Sequence, residues 1–472
     1  MAGFHDYRSL DALDLASLIR AGGVSREEVV EAAIARLEAV NPRLNAVIYK
    51  DYDRARKAAK HASGPFAGVP FLVKDTNDYA GTPTGLGSKL FQDYYPAQTD
   101  TLTQRSVDGG FIVIGRSNIP EFALVGTTES LVYGPARNPF DATRTAGGSS
   151  GGAAAAVAAA VVPAAQASDG GGSIRCPAAA SGVFGLKPTR ARNPSGPAVG
   201  ELWQSMVQQH VLTRTVRDSA AILDLTNGPE PGDPYMVEKP ARPFLEEVGR
   251  DPGSLRIALM TGYPDGPQAD PVCTAAAREI AALCQRLGHQ VEEAVVPVTV
   301  EEMFGLLGTV CTVWIRSTLL KRGAERGRPV TAADVEPMTW EMFNRATEID
   351  GTAYYDAIEK IHQVGRRVAT FFQRYDVLLT PALASPAVPL GTIDTTRPIA
   401  EAVGALAAFC PFTTTFNVTG QPAASIPLCW TPEGLPIGIQ LVTRFADEAT
   451  LFRLAAQLEA ERPWVGNYAR IL

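Results

Sequence analysis

Apolar residues recur at helical spacing after Ser25. Val30, Ile34 and Leu37 fall on one face, and Ser25-Arg26-Glu27-Glu28 ahead of them has the order of a capping box. The pattern predicts a helix that starts at residue 26 and ends at Asn41-Pro42. The period then changes. Gly68-Val69-Pro70-Phe71-Leu72-Val73 is a short unbroken apolar run, which predicts a buried strand that delivers Lys74 and Asp75 at its end. A second short strand is predicted over 111–114, closed by Gly115. An alanine-rich helix is predicted over 153–162, helices over 216–225 and 272–287, and a strand over 255–260. Residues 300–372 read as mainly helical, with Phe304, Leu307, Trp314, Trp340 and Phe343 supplying bulk. Strands return at 377–379, 425–428 and 437–441, and a last helix covers 447–460. Helices and strands alternate throughout, so the fold class is α/β, with sheet faces covered by helices. No internal repeat and no linker long enough to split domains is visible; residues 229–243 read as a surface loop.

Composition narrows the function classes. The chain has 472 residues, 46% hydrophobic and 20% charged, with a formal net charge of -7. That is ample length for a large core. A nucleic-acid binder shows a basic excess or stripe, and neither is present; nor is there a polybasic run for an anionic membrane surface. The longest apolar run, 153–162, is half of the roughly 20 residues that a membrane span needs. The opening MAGFHDYRSLDALDL lacks a basic segment followed by an apolar one, so a cytoplasmic location is expected. The cysteines at 176, 273, 284, 311, 410 and 429 form no CxxC pair, and the histidines at 5, 61, 210, 289 and 362 are scattered. Metal-ligand spacing is absent, so reduced buried thiols and a mechanism without metal or cofactor are expected.

Residues 144–190 carry the chemistry. Gly147-Gly148-Ser149-Ser150-Gly151-Gly152 and Ser168-Asp169-Gly170-Gly171-Gly172-Ser173-Ile174-Arg175 flank the alanine-rich helix. Successive glycines let backbone N–H groups turn toward one point, a geometry that suits an anion or a developing oxyanion. A flexible linker would not enclose a helix that needs burial on several sides. A phosphate-binding loop needs Gly-Lys-Ser/Thr, and neither cluster has it. Gly148-Ser149-Ser150-Gly151-Gly152 formally matches the nucleophile elbow G-x-S-x-G, but that motif requires a strand before it, and residues 138–144 read as loop. A serine nucleophile needs a base. Lys74 can serve if burial lowers its pKa toward neutrality; from spacing alone the favoured reading is that it pairs with Asp75 or another acid at a strand end.

Together these residues resemble the amidase signature family. The resemblance rests on Gly-Gly-Ser149-Ser-Gly-Gly, the alanine-rich helix, and Asp169-Gly-Gly-Gly-Ser173-Ile-Arg-Cys-Pro-Ala at the family's spacing. Supporting stretches are Gly68-Val-Pro-Phe-Leu-Val-Lys74-Asp75, Asn118-Ile-Pro-Glu121-Phe, Asn138-Pro139, Gly185-Leu-Lys-Pro188-Thr, Gly420-Gln-Pro-Ala and Gly434-Leu-Pro-Ile-Gly-Ile-Gln440. Residues 230–370 carry little of this signal and are expected to form a variable, mainly helical substrate segment. The resemblance implies a single domain over 1–472, a large mixed β-sheet flanked by helices on both faces. It implies a triad of Lys74, Ser149 and Ser173, with a cis peptide bond between Gly148 and Ser149. Lys74 would be the base, Ser149 the proton shuttle and Ser173 the nucleophile. The N–H groups of Gly170, Gly171, Gly172 and Ser173 would hold the oxyanion, and Asp169, Arg175 and Ser150 would support the loop. Two departures stand out: Gly170 replaces a common threonine and Ala153 a common serine.

Within the family the layout resembles the aminohexanoate cyclic-dimer hydrolase and aryl-acylamidase branch. The implied partner is a small-molecule amide or carbamate, and a homodimer is compatible with the reading. Ala123, Leu124, Cys311 and Trp314 are the expected substrate contacts, within an apolar pocket built from 300–345. Two rivals come from other classes. One is the glutamine-hydrolysing subunit of a tRNA-dependent amidotransferase. The other is an esterase that uses Ser150 with His210 or His289 as base.

Overall fold

The computed structural model describes residues 4–264 and 266–471; the first three residues of the stretch read for a leader lie outside these. Eleven strands form one mixed sheet. In chain order they are β1 (Val47–Lys50), β2 (Pro70–Lys74), β3 (Ile112–Ser117), β4 (Ala164–Asp169), β5 (Phe184–Lys187), β6 (Gln208–Thr213), β7 (Arg256–Leu259), β8 (Gln290–Glu293), β9 (Val377–Pro381), β10 (Ala423–Trp430) and β11 (Pro436–Thr443). Their spatial order is β1-β3-β2-β4-β6-β5-β10-β11-β9-β7-β8. β2 runs parallel to β3 and to β4, and β9 runs parallel to β7. The middle of the sheet, from β4 through β6, β5, β10 and β11 to β9, is antiparallel.

The helices that bear on the site are α1 (Arg26–Leu44), α2 (Gly151–Ala158), α3 (Arg175–Ser181), α4 (Val216–Thr226), α5 (Pro271–Arg286), α6 (Val300–Glu325), α7 (Pro337–Arg345), α8 (Gly351–Arg374), α9 (Ile399–Phe409), α10 (Thr415–Thr419) and α11 (Glu448–Glu461). Alternation along the strands explains why both faces need cover. Ile257, Leu259, Val377 and Leu379 enter one core with residues of α4, α5 and α11. Their neighbours Ala258 and Leu378 enter a second core with Met303 and Leu306 of α6 and Ile361 and Val364 of α8. All eight residues of α2 are buried, as an alanine-rich helix without a polar face requires.

Most predicted elements form, with three instructive differences. The capping box at Ser25 and Glu28 is present, but α1 runs through Pro42 to Leu44 and stops where Asn45 turns left-handed at φ 49°. The Asn41 side chain accepts from the N–H groups of Ala46 and Val47, both at 2.9 Å, so Asn41 shapes the exit rather than ending the helix. β3 continues through Gly115 instead of stopping there, because a Cβ at 115 would lie 2.3 Å from the Tyr49 carbonyl oxygen on β1. β1, β4, β5, β6 and β8 were not anticipated: each is short and partly polar, with no alternation or apolar run long enough to mark a strand. Among the described residues α6, not the 153–162 run, is the helix that is long and apolar enough, by length and composition alone, to cross a membrane. Residues 229–243 carry no helix or strand.

Because β2 and β4 are parallel neighbours, their carboxyl ends meet at one edge of the sheet. That edge is where an α/β sheet opens a crevice for ligands, and it receives Lys74 from one strand and Ser168 and Asp169 from the other. The glycine in β3 holds β1 close to this frame. Gly115→Ala is expected to destabilise the protein by roughly 1–3 kcal/mol, the usual cost of overpacking, seen as a lower urea midpoint.

Candidate active site

Lys74 ends β2 and is fully buried. Successive strand residues face opposite sides, so Lys74 and Asp75 separate. Asp75 pairs with Arg116 at 3.1 Å, which removes the reading in which it neutralises Lys74. The Lys74 Nζ lies instead 2.8 Å from Ser149 Oγ, 2.8 Å from Ser150 Oγ and 2.9 Å from Ser168 Oγ, with the Ser168 carbonyl oxygen at 3.3 Å. Among the described residues no carboxylate is bonded to it. Burial drives the Lys74 pKa down to about 7, with the more distant charge of Asp169 opposing that shift.

The chain approaches Ser149 as loop with isolated bridges at Arg137, Arg144 and Thr145, so the strand that a nucleophile elbow needs is not there. The Gly148–Ser149 peptide bond is cis. Ser150 N–H donates to the Ser173 carbonyl at 3.3 Å, which ties the two serine clusters together.

The second cluster is organised by Asp169, at the end of β4. Its carboxylate accepts from the N–H groups of Gly172 at 2.7 Å, Ile174 at 3.1 Å and Arg175 at 3.3 Å, and from the Arg175 guanidinium at 2.9 Å through both oxygens. Burial works to raise the Asp169 pKa, but Arg175 and the bonds around it hold the carboxyl well below the usual range. Arg175 also donates to the Thr413 carbonyl, Gln440 Oε1 and Asn417 Oδ1. Thr413 and Thr414 hydroxyls donate to the Gly171 carbonyl at 2.7 and 3.1 Å. This corrects one expectation: the Gly172 N–H is bonded to Asp169, so it is not a free oxyanion donor. The N–H groups of Gly170, Gly171 and Ser173 make no intramolecular hydrogen bond among the described residues.

Two chambers meet at Ser173. The first, about 880 Å³, is apolar; its wall includes Ala123, Leu124, Gly171, Gly172, Phe304, Leu307, Cys311, Met338, Met342, Leu406 and Cys410. The second, about 1430 Å³, reaches Ser149 and Gly170 and mixes Asp78, Asp100, Lys321 and Arg322 with Phe91, Phe122 and Trp314. Burial, with the charge of Asp78 beside it, raises the Asp100 pKa to about 7. Ala123, Ser173 and Trp203 line both chambers. Of the expected substrate contacts, Ala123, Leu124 and Cys311 line the first chamber, and Trp314 the second. Trp340 and Phe343 stack on each other at 5.0 Å and line neither.

The histidines named for the esterase reading sit elsewhere. His210 pairs with Ser219 at 2.9 Å, and burial depresses its pKa to about 3. His289 accepts from the Leu255 N–H at 3.2 Å and contacts Gln457. Neither lines a chamber. Sequence reasoning missed Ser168, although it opens the second cluster. It also missed Thr413, Thr414, Asn417 and Gln440, of which only Gln440 lies in a stretch noted in the sequence. The wall from α9 and the turn at Trp203 gave no signal. A second lysine, Lys187, is also fully buried; its Nζ donates to the Pro188 carbonyl at 2.9 Å, and it lines neither chamber.

Comparison with known proteins agrees with this geometry. The family model Amidase matches residues 28–452. The chain is 38% identical over 477 residues to the 6-aminohexanoate-cyclic-dimer hydrolase of Paenarthrobacter ureafaciens, covering 98% of this chain and 97% of that one. It is 32% identical to an acylamidase of Rhodococcus erythropolis, covering 96% of each. Among solved structures, 6-aminohexanoate cyclic dimer hydrolase complexed with substrate superposes with a TM-score of 0.92 at 36% identity over 98% of both chains. A bacterial aryl acylamidase of the amidase signature family superposes with a TM-score of 0.90 at 27% identity, again over 98% of both. A match that spans nearly the whole chain, joined to a buried lysine set among serine hydroxyls, places the protein in the amidase signature family of hydrolases.

Proposed function

We propose that the protein hydrolyses amide-type C–N bonds, in aryl, cyclic or oligomeric amides and in carbamates, through an acyl-enzyme on Ser173. The observation that carries this reading is Lys74, buried beside hydroxyls and bonded to no carboxylate. A neutral amine has two hydrogens and one lone pair. Three hydroxyls satisfy it: two accept and one donates. An ammonium in the same place would lack the counter-charge that burial demands.

In this scheme Lys74 takes the Ser149 proton and Ser149 takes the Ser173 proton as Ser173 Oγ bonds to the substrate carbonyl carbon. The negative oxygen that forms is met by the free N–H groups of Gly171 and Ser173, with Gly170 alongside. When the C–N bond breaks, the proton returns from Lys74 through Ser149 to the leaving nitrogen. Water then attacks the acyl-enzyme by the same relay and releases Ser173. Asp169 acts by fixing the loop, since its oxygens are engaged by Arg175 and by backbone N–H groups. The apolar chamber suits an alkyl or aryl group on one side of the scissile bond, and the mixed chamber suits an aryl or polar group on the other. Relatives named for a cyclic amide dimer and for acylamides support amides of this kind. The amidotransferase reading requires partner chains, and turnover of simple anilides by the purified chain alone separates the two.

Lys74→Ala is expected to lower kcat/KM on such anilides by roughly 10²–10⁴-fold, the range for a lost general base. The wild-type pH profile should follow the lysine. The base is deprotonated above about pH 7, so kcat/KM is expected to hold on the alkaline side and to fall as pH drops below about 7; a profile flat from pH 5 to 9 would overturn the assignment. Asp169→Asn leaves Arg175 buried without its counter-charge. A loss of roughly 3–5 kcal/mol in stability is expected on denaturant titration, together with a lower kcat. Trp314→Ala opens the aromatic wall of the second chamber and is expected to shift preference from anilides toward aliphatic amides in competition assays.

A further inference from the structure

We propose that the second chamber carries a subsite for a second amide or carbamate group of the substrate, built from the Gln209 amide and the Asp100 carboxyl, so that bis-amides and bis-carbamates are the preferred class. This assignment rests on Ser173, in the wall of the same chamber, as the nucleophile. Asn77 organises the two groups. Its Nδ2 has two hydrogens: one goes to Asp100 Oδ2 at 3.1 Å and the other to Gln209 Oε1. The Asp78 N–H also donates to Asp100 Oδ2, at 3.0 Å. One oxygen and one nitrogen are left over. Asp100 Oδ1 and Gln209 Nε2 have no hydrogen-bond partner among the described residues, and neither belongs to the unpaired polar atoms that are closed off from solvent. Both residues keep part of their surface exposed, and both line the chamber.

Position and chemistry agree. Asp100 precedes the helix Thr101–Asp108, where a carboxylate normally accepts from the first helical N–H groups. No such bond forms, and the carboxyl turns to Asn77 instead. Gln209 lies opposite Ser168 in the antiparallel pair of β6 and β4. Side chains of such a pair share a face, about 5 Å apart, and Ser168 Oγ is 2.9 Å from Lys74 Nζ. The subsite therefore begins one strand away from the hydroxyl cluster around Lys74. Arg322, on the same chamber, is engaged by Asp93 at 2.7 Å and Glu325 at 3.0 Å. A lone carboxylate would suit a cation. A free N–H beside a free carboxyl oxygen complements a group that offers C=O and N–H together, as a secondary amide or an N-substituted carbamate does. A substrate without that second group displaces water from both atoms and leaves them unpaired, which is the source of the discrimination.

Butyranilides with near-isosteric ring substituents test this, in a para and a meta series: acetamidomethyl offers C=O and N–H, 3-oxobutyl offers C=O alone, and 3-methylbutyl offers neither. Release of the substituted aniline is followed at about pH 8, above the Asp100 pKa of about 7, so that the carboxyl is ionised and accepts. In at least one series the wild-type kcat/KM is expected to fall from amide to ketone to hydrocarbon; equal values in both series would overturn the proposal. Asp100→Asn presents an N–H in place of the free oxygen. It is expected to lower the amide-to-ketone ratio roughly tenfold or more, the factor for a hydrogen bond to a charged group, and not to lower the ketone-to-hydrocarbon ratio. Gln209→Met removes the donor and is expected to lower the ketone-to-hydrocarbon ratio roughly two- to tenfold, the factor for a neutral bond. A purely structural role would move all three substrates together and leave both ratios unchanged, which would sink the subsite. The wild-type comparison carries the test if a variant does not fold. Labelling by a fluorophosphonate probe keeps the two readings apart. Failure of the wild type to label at Ser173 would remove the nucleophile, whereas normal labelling with equal rates across each series would remove only the subsite.

Discussion

A lysine amine held out of water, with its pKa pushed down to about 7 by burial, is the constraint around which this site is built. Lys74 has no exposed surface and bonds only to hydroxyl and carbonyl oxygens. Burial favours the neutral amine, and the nearby negative charge works against it. Asp169 ends the neighbouring strand, and a carboxylate turned toward Lys74 would make it an ammonium. Arg175 engages both Asp169 oxygens with its planar fork. Asn417, Gln440 and the Thr413 carbonyl then satisfy the remaining donors of the guanidinium. The ion pair beneath the glycine loop and the buried lysine beside it are two parts of one charge arrangement.

That arrangement follows from sheet topology. Parallel β2 and β4 bring a lysine and an aspartate to the same edge from positions far apart in sequence. The buried α2 between the glycine clusters needs no polar face, because every side of it is covered. The turn before the short α10, α10 itself and the later strand β11 close the loop from behind through Thr413, Asn417 and Gln440.

The glycine clusters and Lys74 were readable because their chemistry is carried by local spacing. The long helices after residue 300 were readable from their length and apolar content. β4 and β6 were not. Ala164–Asp169 holds Gln166, Ser168 and Asp169 among alanines, and its burial comes from neighbours on both sides rather than from an apolar pattern of its own. Thr413, Thr414 and Asn417 were silent for another reason: each acts across more than two hundred residues, on a loop that only the fold brings near. The pocket was half read. Cys311 and Trp314 were placed on the right helix, but Trp340 and Phe343 stack on each other, and residues 399–414 of the opposite wall carried no hint of that position.

One helix, α6, furnishes Phe304, Leu307 and Cys311 to the apolar chamber and Trp314, Lys321 and Arg322 to the mixed one. Each residue of an α-helix advances the direction of its side chain by about 100°. A single inserted or deleted residue near the middle would therefore rotate one half of the helix against the other and swing its side chains out of one cavity wall. An exchange of side chain at fixed length changes one cavity wall without that rotation, so α6 couples the two cavities as one geometric unit.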